Sequence, residues 1–86
     1  MADSSTGTKD SPSLDGPAGD VIAAVVADVL ELDAVDPHAG FFDLGASSAA
    51  VVDLVRILRG RWPGMRVVDV FDNPTVDQLA TFLEPA

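Results

Sequence analysis

Eighty-six residues carry fourteen acidic side chains, twelve Asp and two Glu, against one Lys and four Arg, for a formal net charge of -9. A chain of this length forms one small domain and buries too little surface to wall an active-site cleft with several layers, while its charge repels nucleic-acid phosphates and anionic lipid. With no cysteine there is no disulfide framework, thiolate metal site or cysteine nucleophile, so any thiol it carries must be added to it.

Residues 1–16 are Ser, Thr, Asp, Gly and Pro with only Met1 and Leu14 as larger apolar groups. That is too little burial to offset the entropy of ordering, and a disordered tail is expected there. There is no basic-then-apolar leader, and the longest apolar run, residues 21–27, falls far short of the roughly 20 residues of a membrane span, so a cytoplasmic protein is expected. Pro17 suits a first helical position, and Ile22, Val25, Val26, Val29 and Leu30 recur at spacings of three and four. This predicts an amphipathic helix over 17–32.

A loop of about fifteen residues follows, from Asp33 to Ser47, broken by Pro37, Gly40 and Gly45. Loops that long are usually functional or disordered, and Phe41, Phe42 and Leu44 argue that this one is pinned to the core. The next helix is predicted over 48–59, with a core stripe of Val51, Leu54, Val55 and Leu58 and with Gly60 placed to end it. The run "VVDVFDN" alternates like a strand, but nothing else in the chain could pair with it. A short helix over 67–72 is the better reading. Thr75 and Gln78 then fit a capping box, and Val76, Leu79, Ala80 and Leu83 share a face. The expected fold class is all-α, a small four-helix bundle of three longer helices and one short one, with one domain over 17–84. Phe41, Phe42, Trp62, Phe71 and Phe82 read as packing residues, with at least one of the adjacent Phe41 and Phe42 buried.

The chemistry concentrates in "FFDLGASS", Phe41 to Ser48. "GASSA" is one residue away from the elbow that exposes a serine nucleophile, but Ala49 stands where the last glycine should be, no large sheet lies behind it, and His38 is the one base available. Asp33, Asp36 and Asp43 do not have the spacing of a calcium loop, and His38 has no companion ligand, so no metal site is expected. Either Ser47 or Ser48 could cap the following helix. One hydroxyl suffices for that, and the other stands at a positive dipole end suited to an attached phosphate.

These segments together resemble the phosphopantetheine-binding carrier proteins, the acyl and peptidyl carriers of fatty-acid, polyketide and nonribosomal-peptide synthesis. "FFDLGASS" is similar to the family's FF-D/E-LG-G-x-S-L, and "VVDVFDNPTVDQLATFL" to its closing V-x-x-x-F-x-x-P-T-x-x-x-L-A-x-x-L. The resemblance covers about residues 17–84. It implies that Ser48 receives 4'-phosphopantetheine from coenzyme A and that Ser47, on the variable position before it, caps the helix. It implies a non-catalytic carrier, not an enzyme, that tethers acyl or aminoacyl intermediates as thioesters. The implied partners are a phosphopantetheinyl transferase, an adenylation or acyl-loading enzyme, and downstream synthase or tailoring enzymes. A stand-alone monomer is expected, with neither nucleic acid nor membrane as partner. Ala46 replaces a glycine common in peptidyl carriers, and Ala49 replaces a leucine that commonly touches partner enzymes. Ala49, Val52, Arg56 and Arg59 form a helical stripe apart from the core stripe, and with Leu44 they are the expected partner surface, although Val52 could equally be core. The basic lower part of that stripe looks more like a peptidyl carrier of nonribosomal peptide assembly. A polyketide acyl carrier, or an unmodified helical interaction module, are the alternatives.

Overall fold

The computed structural model describes residues 14–85. Four helices follow in chain order: α1 (Ala18–Leu30), α2 (Ser48–Leu58), α3 (Val67–Asp72) and α4 (Val76–Leu83). The all-helical bundle is therefore the fold, and "VVDVFD" is its short helix. α1 packs against both α2 and α4, and α3 rests on α2.

The apolar stripes meet in one core. Val21, Ile22, Val25 and Val26 of α1 face Val51, Leu54, Val55 and Leu58 of α2, closed by Val70, Val76 and Leu79, with Phe41 and Met65 supplied by the connections. Val29, Leu30, Ala80 and Leu83 pack partly buried at the edge of this cluster.

The helix ends differ in detail from expectation. Pro17 is the N-cap of α1 instead of its first residue: its ψ of 140° is extended, while its carbonyl already accepts from the Val21 amide at 3.0 Å. At the other end Glu31 takes a left-handed conformation, φ 58°. The Leu32 amide then reaches back to Ala27 O at 2.8 Å and the Glu31 amide to Asp28 O at 3.4 Å, the paired bonds of a Schellman ending made without a glycine. Gly60 does not end α2 through a left-handed backbone either; the C-cap is Arg59 in the right-handed region. A Cβ at Gly60 would come within 2.6 Å of Leu14 Cδ1, so the missing side chain leaves room for that leucine.

Of the expected tail, residues 1–13 lie outside the described residues. Leu14 is half-buried against the core.

The five aromatics do not all pack as expected. Phe41 is fully buried and Trp62 half-buried against the core, whereas Phe42, Phe71 and Phe82 are 41%, 47% and 49% exposed. The physical reason is position on each element. Phe71 follows the one core residue α3 can offer, Val70, and Phe82 lies off the stripe of Val76, Leu79 and Leu83. Phe42 follows Phe41 in a turn and stacks on Phe71, with ring centroids 5.2 Å apart and planes inclined by 17°.

Candidate functional site

The long connection after α1 is held by its backbone to the start of α4. The Phe41 amide donates to Pro74 O at 2.7 Å, the Asp77 amide to Pro37 O at 3.0 Å, and Gly40 and Thr75 form an isolated antiparallel bridge. These bonds satisfy loop backbone that burial of Phe41 would otherwise strand from water. They also fix the point from which the chain turns toward α2.

That turn is a single helical turn with its own stop. The Ala46 amide donates to Phe41 O at 3.1 Å and the Gly45 amide to Phe42 O at 3.2 Å, with Gly45 at φ 102°. Glycine is required at Gly45 for this backbone alone, since a Cβ there would meet nothing within 4 Å. Ala46 has no positive φ, so an alanine in place of a second glycine costs the turn nothing.

Ser47 then leaves the turn extended, φ -95° and ψ 172°, as the N-cap of α2. Its Oγ accepts from the Ala50 amide at 3.2 Å and its carbonyl from the Val51 amide at 3.0 Å. Ser48 is the first helical residue and is exposed. Among the described residues its hydroxyl has no hydrogen-bond partner, and no acidic side chain stands in the first turn. The start of α2 thus presents a free hydroxyl where the amide dipoles favour a negative group. His38 points elsewhere: its Nδ1 lies 3.9 Å from Asp77 Oδ2 and its amide donates to Asp36 Oδ1 at 2.9 Å.

The expected partner stripe is exposed along α2, at Ala49, Val52, Arg56 and Arg59. Val52 is 42% exposed, which resolves its two readings in favour of the surface. A cleft of about 260 Å³ brings Val52, Arg56 and Arg59 together with Val55 and with Val67 of α3. Arg56 reaches Asp53 at 3.4 Å across solvent, while Arg59 Nε donates to Met65 O at 2.7 Å and so ties the end of α2 to the next connection. Leu44 is half-buried and packs on the core at the loop side.

Sequence reasoning missed the contribution of α3. Of the six exposed large hydrophobics among the described residues, Phe42, Val52, Val67, Val68 and Phe71 belong to α2, α3 and the loop packed on it; Phe82 is the sixth. The signal was in the pattern, because a six-residue helix that buries Val70 leaves Val67, Val68 and Phe71 uncovered. Asp69 was also missed. It is buried, and its carboxylate accepts from the Arg66 amide at 2.9 Å and from Arg66 Nη2 at 3.2 Å, which closes the start of α3.

The family described as "Phosphopantetheine attachment site" matches residues 20–83. The chain belongs to this family. Among curated relatives, bacitracin synthase 3 of Bacillus licheniformis is 36% identical over 67 residues, which is 76% of this chain and 1% of that protein. Novobiocin biosynthesis protein H of Streptomyces niveus is 33% identical over 66 residues, 74% of this chain and 11% of that protein. The carrier therefore spans a small fraction of the length of these relatives. A solved structure described as a nonribosomal PCP domain is 35% identical, with a TM-score of 0.70 over 84% of this chain and 94% of that one. The McyG A-PCP structure, complexed with phenylalanyl-adenylate, is 29% identical with a TM-score of 0.75, over 94% of this chain and 13% of that one. The arrangement at Ser47 and Ser48 fits the group for which the family is described: one serine is occupied as a cap and the other is exposed and unpaired at the helix start.

Proposed function

We propose that this chain is a peptidyl carrier protein and that Ser48 is its attachment residue. In this reading the Ser48 hydroxyl loses its proton and its oxygen bonds to the pantetheine-side phosphorus of coenzyme A, the pyrophosphate bond breaks and adenosine 3',5'-bisphosphate leaves, in a reaction catalysed by a Mg2+-dependent phosphopantetheinyl transferase. The observation that carries the reading is the division between adjacent serines: Ser47 Oγ is engaged by the Ala50 amide, and Ser48 is free at the first position of α2. Ser47 also keeps the first turn closed, so that Ser48 is presented on a formed helix instead of a frayed end.

When attached, the group supplies a terminal thiol that holds acyl or aminoacyl cargo as a thioester, which suits a chain with no cysteine. The chain contributes no catalytic group of its own; its residues present the hydroxyl and recognise partners. Ala49, Val52, Arg56 and Arg59, flanked by Leu44 and by Val67, Val68 and Phe71 of α3, form the face that adenylation, loading and downstream enzymes touch. An apolar strip of this kind exposed on a small domain marks an interaction surface. An adenylation enzyme as partner is supported by the likeness to McyG A-PCP, and a nonribosomal pathway by the synthetases among the relatives. The cytoplasm is the proposed compartment.

The test is direct. The chain is incubated with coenzyme A, Mg2+ and a broad-specificity phosphopantetheinyl transferase, and intact mass and free thiol are measured. Wild type is expected to gain one phosphopantetheinyl group and one thiol. Failure to gain either with several transferases would overturn the proposal in favour of an unmodified interaction module.

A further inference from the structure

We infer that residues 14–16 form a strap latched by Arg61, and that the latch joins this strap to the end of α4 at the end of α2 remote from Ser48. The guanidinium of Arg61 sits at a junction of three segments. Its Nη1 donates to Leu14 O at 3.0 Å and to Gly16 O at 2.5 Å, and its Nε and Nη2 donate to Glu84 Oε2 at 3.2 and 2.8 Å. The Glu84 carboxylate also accepts from Trp62 Nε1 at 3.0 Å, and the Arg61 guanidinium lies over the Trp62 ring, 4.7 Å from its centroid. One side chain, only 25% exposed, therefore ties the segment before α1, the connection after α2 and the residue that ends α4.

Three features show that this is more than a surface ion pair. Isolated exposed pairs contribute little, but here all three nitrogens of a planar fork donate, in four bonds divided between carbonyls and a carboxylate, which an ammonium could not match. Leu14 fills the space left open at Gly60, where a Cβ would intrude to within 2.6 Å. Gly16 takes φ 110°, so the strap turns into Pro17 through a backbone that other residues rarely adopt. The fully buried core residues lie elsewhere; Leu14 and Trp62 pack on the edge of that cluster.

The location has a consequence for a carrier. Arg61 follows α2, whose eleven residues rise roughly 16 Å from Ser48. Residues 14–16 and Glu84 are thus held at the α2 C-terminal end, away from Ser48 and Val52. The latch lies apart from the end of α2 that carries the modified residue. This consequence rests on the reading of Ser48 as attachment site; the latch does not.

The absence of cysteine allows a clean test on the unmodified full chain. A nitroxide is placed through Pro85→Cys, and paramagnetic broadening of backbone amides is recorded with and without Arg61→Ala, together with contacts between the Leu14 methyls and Gly60. With Arg61 present, broadening should reach residues 14–16 and 59–62, spare residues 45–50, and accompany Leu14–Gly60 contacts. Arg61→Ala should abolish those contacts and remove the broadening of residues 14–16. Glu84→Gln, which leaves core packing untouched, should produce the same change in smaller degree and shift the emission of Trp62, the one tryptophan. Uniform broadening in the parent chain would overturn the inference. So would a pattern and Leu14–Gly60 contacts unchanged in both variants. Neither outcome depends on whether Ser48 accepts phosphopantetheine, so failure of the latch and failure of the carrier reading are distinguishable.

Discussion

Replacing Phe41 with alanine should remove a large part of the domain's stability, whereas the same change at its neighbour Phe42 should be tolerated. Phe41 is fully buried in the core, and its amide is bonded to Pro74 O at 2.7 Å, so the site cannot collapse without pulling the loop from α4. Truncating such a ring costs about 3 to 5 kcal/mol in transfer and cavity terms. Seventy-two described residues correspond to a total stability of roughly 4 to 11 kcal/mol at typical values per residue. Phe42 is 41% exposed and loses a stacked contact with Phe71 and part of its burial, together about 1 to 2 kcal/mol. Urea unfolding followed by far-ultraviolet circular dichroism measures both. Equal losses at the two positions, or a larger loss at Phe42, would refute the account of how the loop is anchored.

Ser47→Ala should lower stability by about 1 kcal/mol, a Tm drop of about 4 to 8 °C in a domain of this size, while leaving Ser48 able to be modified; thermal scans and intact mass check the two parts. Glu31→Gly should raise stability by about 0.5 to 1 kcal/mol, because relief of the left-handed conformation at φ 58° exceeds the entropy that glycine loses on folding. A fall in Tm would contradict that assignment of the helix end. Val52→Asp should change stability by no more than about 0.5 kcal/mol, as at an exposed site, and yet reduce kcat/KM of the transferase or loading enzyme; unchanged kinetics would remove Val52 from the partner face.

The helices were legible because each carries apolar residues at helical spacing, and α3 because a lone strand would have had no partner. The loop anchor and the two-serine helix start were legible in outline: local chemistry called for at least one of Phe41 and Phe42 to be buried and for one serine to cap, and the fold assigns Phe41 and Ser47. What could not be read depends on contacts distant in sequence. Composition shows five aromatic rings but not that α3 has room to bury only Val70, which leaves Phe71 outside. Gly60 looks like a helix stop until Leu14, forty-six positions earlier, is seen filling the space beside it. Arg61 likewise reads as one more surface cation, and only the fold brings Leu14, Gly16 and Glu84 within its reach. The end of α1 was hidden because a glutamate occupies a position where glycine would have announced it.

The central claim is that two adjacent serines have separate tasks. Wild type, Ser47→Ala and Ser48→Ala are treated in parallel with coenzyme A, Mg2+ and transferase, and tandem mass spectrometry locates the added group in the peptide that contains both positions. The account predicts attachment at residue 48 in wild type and in Ser47→Ala, and none in Ser48→Ala, which should keep wild-type stability. Attachment at Ser47, or undiminished modification of Ser48→Ala, would contradict it.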